Sequence, residues 1–192
     1  PLEHGILANM VHGGRLFGWK QEMLSFAQVA KDEGYTTAGF IGGAPLKHQT
    51  GINLGFDHWD EPKGRERKAG DVFAKVFPWL DEHAGERLFL FVHLYDPHWR
   101  HKAPEPFGSM FESDERLGAW LLERGLPDEA IRSQGVLVTE TRKAINGYCG
   151  EIRYVDDQLG LFFKKLRDLE LWSKSIVIVT SDHGEGLNQH EW

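Results

Sequence analysis

The sequence of 192 residues contains a single cysteine, Cys149. A disulfide framework within the chain is therefore excluded, and so is a cysteine-rich zinc site. No apolar run approaches the roughly 20 residues that a membrane-spanning helix needs. Positive charge is in deficit, with 22 Lys and Arg against 29 Asp and Glu and a formal net charge of −7. That balance argues against a general nucleic-acid binder, whose affinity comes mainly from Lys and Arg on phosphates. It leaves room for a cation site, or for a small anion focused by local positive charge. No repeat and no long Ser/Gly linker is visible, so no internal boundary is placed. Pro1 is not an initiator methionine, no signal-peptide pattern follows it, and Trp192 comes directly after a motif-rich stretch. Both ends read as cuts, and any site is expected to be only partly present.

What is present describes a globular chain. Hydrophobic residues make up 41% and charged residues 27%, which rules out a disordered tail or a collagen-like rod. Residues 20–33 place Met23, Phe26, Ala27 and Ala30 on one helical face, and Gly34 supplies a stop. Residues 35–41 read as a strand ended by Gly42-Gly43. Residues 44–70 read mostly as loop. Residues 71–84 predict a second amphipathic helix through Val72, Phe73, Val76, Phe77 and Leu80. The run Leu88-Phe89-Leu90-Phe91-Val92 suits a strand covered on both faces, stopped by Pro97. Residues 99–137 read as irregular, with a helix near 113–124. A long helix is predicted from Thr139 to Leu169, weakened locally by Gly147, Gly150 and Gly160. A third buried strand, 175–180, follows. Strands alternating with helices predict an α/β fold with a layered, mostly parallel sheet between helices.

Two of these strands end in polar clusters, at His93 to His101 and at Asp182-His183-Gly184-Glu185 extended by His190. They hold five of the ten histidines. Ligands of open α/β sheets sit beyond the carboxyl ends of the strands, which is where both clusters fall. Asp182 and His183 pair a hard carboxylate with an imidazole, a donor set that suits a divalent cation, and Gly184 permits the turn that would let both reach it. Two ligands are not a whole site. The bland alternative is that Asp182 caps a turn and His183 packs beneath it. His98 is either a proton donor to an anionic substrate or a turn histidine bonded to backbone. His93, inside the strand, reads as a satisfied core histidine. Arg100, His101 and Lys102 read as a solvated loop or an anion clamp. Glu185 reads as an orienter of the ligands or a backbone cap. Cys149 reads as a small buried hydrophobe on the helix. Asp156 and Asp157 point about 100° apart and so are not a converging pair.

In chain order, six segments carry a family resemblance: Pro1-Leu2-Glu3-His4-Gly5; Leu24 to Phe40, containing Gly34-Tyr35-Thr36-Thr37; Gly55-Phe56-Asp57; Asp96-Pro97-His98; Tyr148 to Gly160; and Thr180-Ser181-Asp182-His183-Gly184-Glu185. Together they resemble a type I sulfatase of the alkaline-phosphatase superfamily. The resemblance implies that residues 1–192 are part of a single sulfatase-like catalytic domain, truncated at both ends. It implies metal ligation by Asp182 and His183 and contact of His98 with the ester near the leaving oxygen. Lys47, His48 and His190 are the nearest matches to the family's substrate-binding residues.

The resemblance also implies one divalent cation, calcium first, with manganese or magnesium as alternatives. The nucleophile would be a formylglycine made from a Cys- or Ser-x-Pro-x-Arg segment, which this sequence lacks. Cys149 does not match, because Gly150-Glu151-Ile152-Arg153 follows it. The expected activity of the intact protein is hydrolysis of a sulfate ester of a small molecule or carbohydrate, with residues 1–192 alone inactive. The alternatives are a phosphonate or phosphodiester hydrolase of the same superfamily and a non-catalytic anion-binding module. Family members are often exported, and an export signal would lie upstream of Pro1.

Overall fold

The computed structural model describes residues 11–12, 15–16, 24–111 and 138–185, with side chains from residue 24 and, in the last segment, from residue 143. The expected helix near 113–124, the Pro1 to Gly5 segment, Met23 and His190 lie outside the described residues. The elements in order are β1 (Val11–His12), β2 (Arg15–Leu16), α1 (Phe26–Asp32), β3 (Thr36–Ile41), β4 (His58–Asp60), α2 (Ala69–His83), β5 (Leu88–His93) and α3 (Val138–Asp168). Strands β1 and β2 pair antiparallel. Strands β4, β3 and β5 form a parallel sheet with β3 in the middle. The α/β reading and the parallel sense of the strands both hold.

The chain divides into two compact units. The first comprises residues 1–95 and 161–173, and the second residues 96–160 and 174–192. Helix α3 contributes its residues through Gly160 to the second and its last turns to the first.

In the first unit, Ser25 caps α1 by accepting the Gln28 N–H at 3.0 Å, which satisfies one orphan donor of the first turn. Gly34 then takes a φ of +76°, a left-handed conformation that releases the chain into β3. Of the expected α1 face, Ala27 is buried, but Phe26 is 83% exposed. Helical spacing predicts which residues align and does not decide whether another layer covers them.

The middle strand is tied to β4 through Thr37, which is fully buried. The Thr37 N–H donates to Asp57 Oδ2 at 3.1 Å, and the Asp57 N–H donates to the Thr37 carbonyl at 3.0 Å and lies 2.9 Å from its hydroxyl. This exchange sets the register of Ala38 on His58 and Gly39 on Trp59. Trp59 then covers Gly39 so closely that a Cβ there would stand 2.3 Å from the indole. Strand β4 is an addition to the expected loop over 44–70. Its three residues are too few for an alternating pattern to stand out.

Strand β5 is half-buried, with Phe91 partly exposed, and is not covered on both faces as its composition implied. Helix α2 buries Val72, Phe73, Val76, Trp79 and Leu80. Trp79 packs edge-on to Phe40 of β3, and Phe73 stacks on Phe162 from the last turns of α3. Lys165 reaches Asp81 at 2.5 Å beside that contact. Gly42 and Gly43 leave room for the chain departing from β5. A Cβ on Gly42 would lie 2.8 Å from the His93 carbonyl oxygen, and one on Gly43 would lie 2.2 Å from the Tyr95 ring.

The third expected strand is not formed. Residues 175–180 lie outside any sheet among the described residues, and Ile176 and Ile178 are 92% and 80% exposed. Strand propensity expresses how well β-branched side chains fit a pleated, half-buried surface. Without a ladder partner, that preference does not create a strand.

Two outcomes follow from this packing. Gly39→Ala overpacks the sheet against Trp59, at a cost of about 1–3 kcal/mol, and lowers the melting temperature by roughly 2–10 °C. A thermal melt followed by circular dichroism checks this. The Asp57 carboxyl is held below its ordinary value of 3.8, chiefly by the Lys31 side chain at 2.5 Å and then by the Thr37 N–H. A carboxyl that titrates lower when folded stabilises the fold above its unfolded value. That contribution is lost as pH falls through the folded value. Asp57→Asn therefore melts a few degrees lower at neutral pH, and its difference from the native protein narrows below about pH 4. Melts across a pH series measure the closing gap.

Candidate active site

The first polar cluster of the second unit is built on a loop lying against α3. Asp96 at its start is buried. The His98 Nδ1 lies 2.6 Å from the Trp99 carbonyl oxygen, so this nitrogen carries the proton and donates it.

Three residues on, the loop turns inward. The His101 side chain is only 2% exposed, and its Nδ1 stands 3.0 Å from Oε2 of Glu151, itself 1% exposed. The other Glu151 oxygen accepts the Lys102 N–H at 2.9 Å. The expected solvated loop at 100–102 is thus corrected at His101, which the buried carboxylate draws into the interior.

Helix α3 receives this loop at two glycines. A Cβ on Gly147 would stand 3.0 Å from the His101 Cβ, and one on Gly150 would stand 2.4 Å from the Phe107 carbonyl oxygen. The glycines that weaken the helix in isolation are the notch that lets the loop approach. One turn further, the Phe107 and Tyr154 rings meet at 5.5 Å.

The sequence reading passed over the His101–Glu151 pair. A signal was present, because Glu151 lies three residues from both Tyr148 and Tyr154, on the buried stripe of α3. A carboxylate at such a position requires partners.

The second cluster is exposed. Asp182 Oδ1 accepts the His183 N–H at 3.0 Å, and Asp182 Oδ2 lies 3.7 Å from His183 Nε2. The His183 Nδ1 is 2.7 Å from the Gly184 carbonyl oxygen. This backbone bond raises the imidazole pKa above its ordinary 6.5, and the charges of Asp182 and Glu185 raise it further. Tying Nδ1–H to a carbonyl fixes the tautomer and presents Nε2, the arrangement seen in metal-bound histidines. The buried packing considered for His183 is not what forms.

Tyr148 on α3 meets the first cluster at His101. Its ring lies 5.3 Å from that of His101. Its phenol is pushed above the ordinary value of 10.0, first by burial and then by the negative charge of Glu185. His98, Asp182 and His183 all belong to the second unit.

Lys47 and His48 belong to the first unit. Lys47 joins two short 3-10 turns, Ala44–Leu46 and His48–Thr50. The His48 ring and backbone N–H both bond Glu61, at 2.8 and 2.7 Å, and Trp59 adds its indole N–H at 3.0 Å. Burial pushes the Glu61 carboxyl up, but these donors outweigh it and hold the group below its usual range. Cys149 is only half-buried. Asp156 faces solvent, paired with Arg153 at 2.7 Å, in keeping with its reading as a non-ligand.

Among the described residues no group of three or more His, Cys, Asp or Glu side chains converges to hold a metal ion. In the exposed Asp182–His183 pair one carboxylate oxygen lies 3.7 Å from one imidazole nitrogen, donor types that suit a divalent cation.

Comparison with known proteins bears on the family of the chain. The chain is similar to the multifunctional alkaline phosphatase superfamily protein PehA of Trinickia caryophylli, 26% identical over 138 residues, 60% of this chain and 27% of PehA. It is also similar to human (Homo sapiens) iduronate 2-sulfatase, 40% identical over 52 residues, 27% of this chain and 10% of that protein. The chain thus spans about a quarter or less of the length of these relatives. Among solved structures, the lipoteichoic acid synthase LtaP from Listeria monocytogenes matches with a TM-score of 0.56 and 18% identity. That match covers 78% of this chain and 34% of LtaP and concerns the fold alone. The family model described as Sulfatase matches residues 4–191, and the chain belongs to the sulfatase family.

Proposed function

We propose that the full-length protein is a sulfuric ester hydrolase and that these 192 residues carry part of its active site. The observation that carries the reading is the Asp182–His183 pair, whose Oδ2 and Nε2 face each other at 3.7 Å with His183 Nδ1 already committed to Gly184. Asp182 and His183 would hold one divalent cation, calcium first, with ligands from outside residues 1–192 completing the shell. A bound cation would supply Lewis-acid neutralisation of the ester's charged oxygens.

His98 has the role of proton donor to the departing alcohol oxygen. The Trp99 carbonyl orients its ring through Nδ1, and Nε2 would carry that proton. Lys47, His48 and His190 are assigned to the substrate's charged group. The nucleophile, a formylglycine, is assigned to sequence beyond residues 1–192, since no Cys- or Ser-x-Pro-x-Arg segment occurs within them. The substrate class is a sulfated small molecule or carbohydrate.

A second reading, a phosphonate or phosphodiester hydrolase, is favoured by the similarity to PehA, a multifunctional alkaline phosphatase superfamily protein, over 60% of the chain. The acid and cation chemistry would be shared, and manganese would then be the more fitting ion.

Parallel assays of sulfate, phosphate and phosphonate monoesters and diesters on the full-length protein separate the two. Sulfate ester turnover is expected to dominate, and dominance of a phosphorus ester replaces the first reading with the second. In the same assay His98→Ala lowers kcat/KM by roughly 10²–10⁴-fold. Asp182→Asn makes activity depend on much higher added calcium. Residues 1–192 alone show no turnover, and measurable cation-dependent hydrolysis by them would overturn the placement of the nucleophile.

A further inference from the structure

We infer that Glu151 is a positioning residue, whose buried carboxylate sets the conformation of the loop that carries His98. The inference rests on the hydrolase reading only through the role given to His98.

A carboxylate that is 1% exposed is costly unless its oxygens are satisfied, and both oxygens here go to consecutive residues of the same loop. One takes the His101 imidazole and the other the Lys102 backbone N–H. A pair of bonds to a side chain and the following amide fixes that stretch in register along α3, which a single contact would not. The glycine notch makes the approach possible: Gly147 faces the Cβ and carbonyl of His101, and Gly150 faces the carbonyl of Phe107.

The constraint passes back to His98 in two short steps. The His101 ring stands perpendicular to that of Trp99 at 5.8 Å. The carbonyl of Trp99 is the acceptor that orients the His98 ring. Glu151 also selects the His101 tautomer. With Nδ1–H donating to the carboxylate, the buried Nε2 is left as a lone pair without a hydrogen-bond partner among the described residues. The opposite tautomer would bury an unpartnered N–H there. A hydrophobic side chain at position 151 could fill the space but would leave the Lys102 N–H unbonded and the loop free to slide.

An ordinary buried pair that only stabilises the fold would not act selectively on His98. ¹⁵N-histidine NMR of the full-length protein distinguishes the two, with resonances assigned by their loss in H98N and H183N. In the native protein His98 shows the pattern of an imidazole protonated at Nδ1. In Glu151→Ala its ring resonances move toward those of a freely averaging imidazole, while those of His183 stay in place. Glu151→Gln, which keeps an acceptor for the Lys102 N–H, recovers part of the native pattern. It is read by the same criterion if the alanine variant fails to fold.

In turnover, kcat falls roughly 10–100-fold in Glu151→Ala with KM within about twofold, as for a misplaced catalytic group. Unchanged His98 resonances in a folded variant, or equal movement of His98 and His183, would overturn the inference. Absence of ester hydrolysis by the native protein would instead sink the hydrolase reading, and the NMR result would stand apart from it.

Discussion

The exchange between Thr37 and Asp57 is the constraint on which the sheet depends. A fully buried threonine on the middle strand cannot leave its hydroxyl and N–H unsatisfied without a penalty of about 1–3 kcal/mol. Asp57, two residues past the left-handed Gly55, meets that need from the position just before β4. Once the two are joined, Gly39 falls beneath Trp59 and Ala38 beside His58. Phe40 is then presented to Trp79 of α2. The Gly-Tyr-Thr-Thr and Gly-Phe-Asp segments, which carried part of the family resemblance, thus have a shared structural purpose. They are the two halves of one strand junction.

The second unit repeats the logic with the charge inside. Glu151 satisfies an imidazole and an amide from one loop as Asp57 satisfies a hydroxyl and an amide from one strand. The energetic balance differs, because Asp57 is partly wet and Glu151 is not. A desolvated carboxylate adds little net stability over a well-packed apolar side chain. Its contribution is geometric, and the residues it places lie three and four positions beyond His98.

Much of this was legible in the chain. The periodicity of residues 71–84, the stop at Gly34 and the apolar run before His93 marked α2, the end of α1 and β5, because each depends on local pattern. Features that depend on distant partners were not legible. Phe26 follows a helical stripe yet faces water, and residues 175–180 have strand composition without a strand. His101 reads as a polar loop residue until Glu151, fifty positions away, is known to lie beneath it. Local physics sets propensity, whereas burial is a property of the pair.

For residues 1–192 taken alone, the uncovered stretch from Ser175 to Ser181 has a colloidal consequence. It is an uncharged, β-branched segment of the length that stacks readily between molecules, with its side chains already in water. Lys174 on one side and Asp182 on the other act as gatekeepers, since like charges repel when such segments meet in register. Removing either charge from these residues therefore invites clumping. Any loss seen in an Asp182 variant must be checked by light scattering before it is ascribed to ligation.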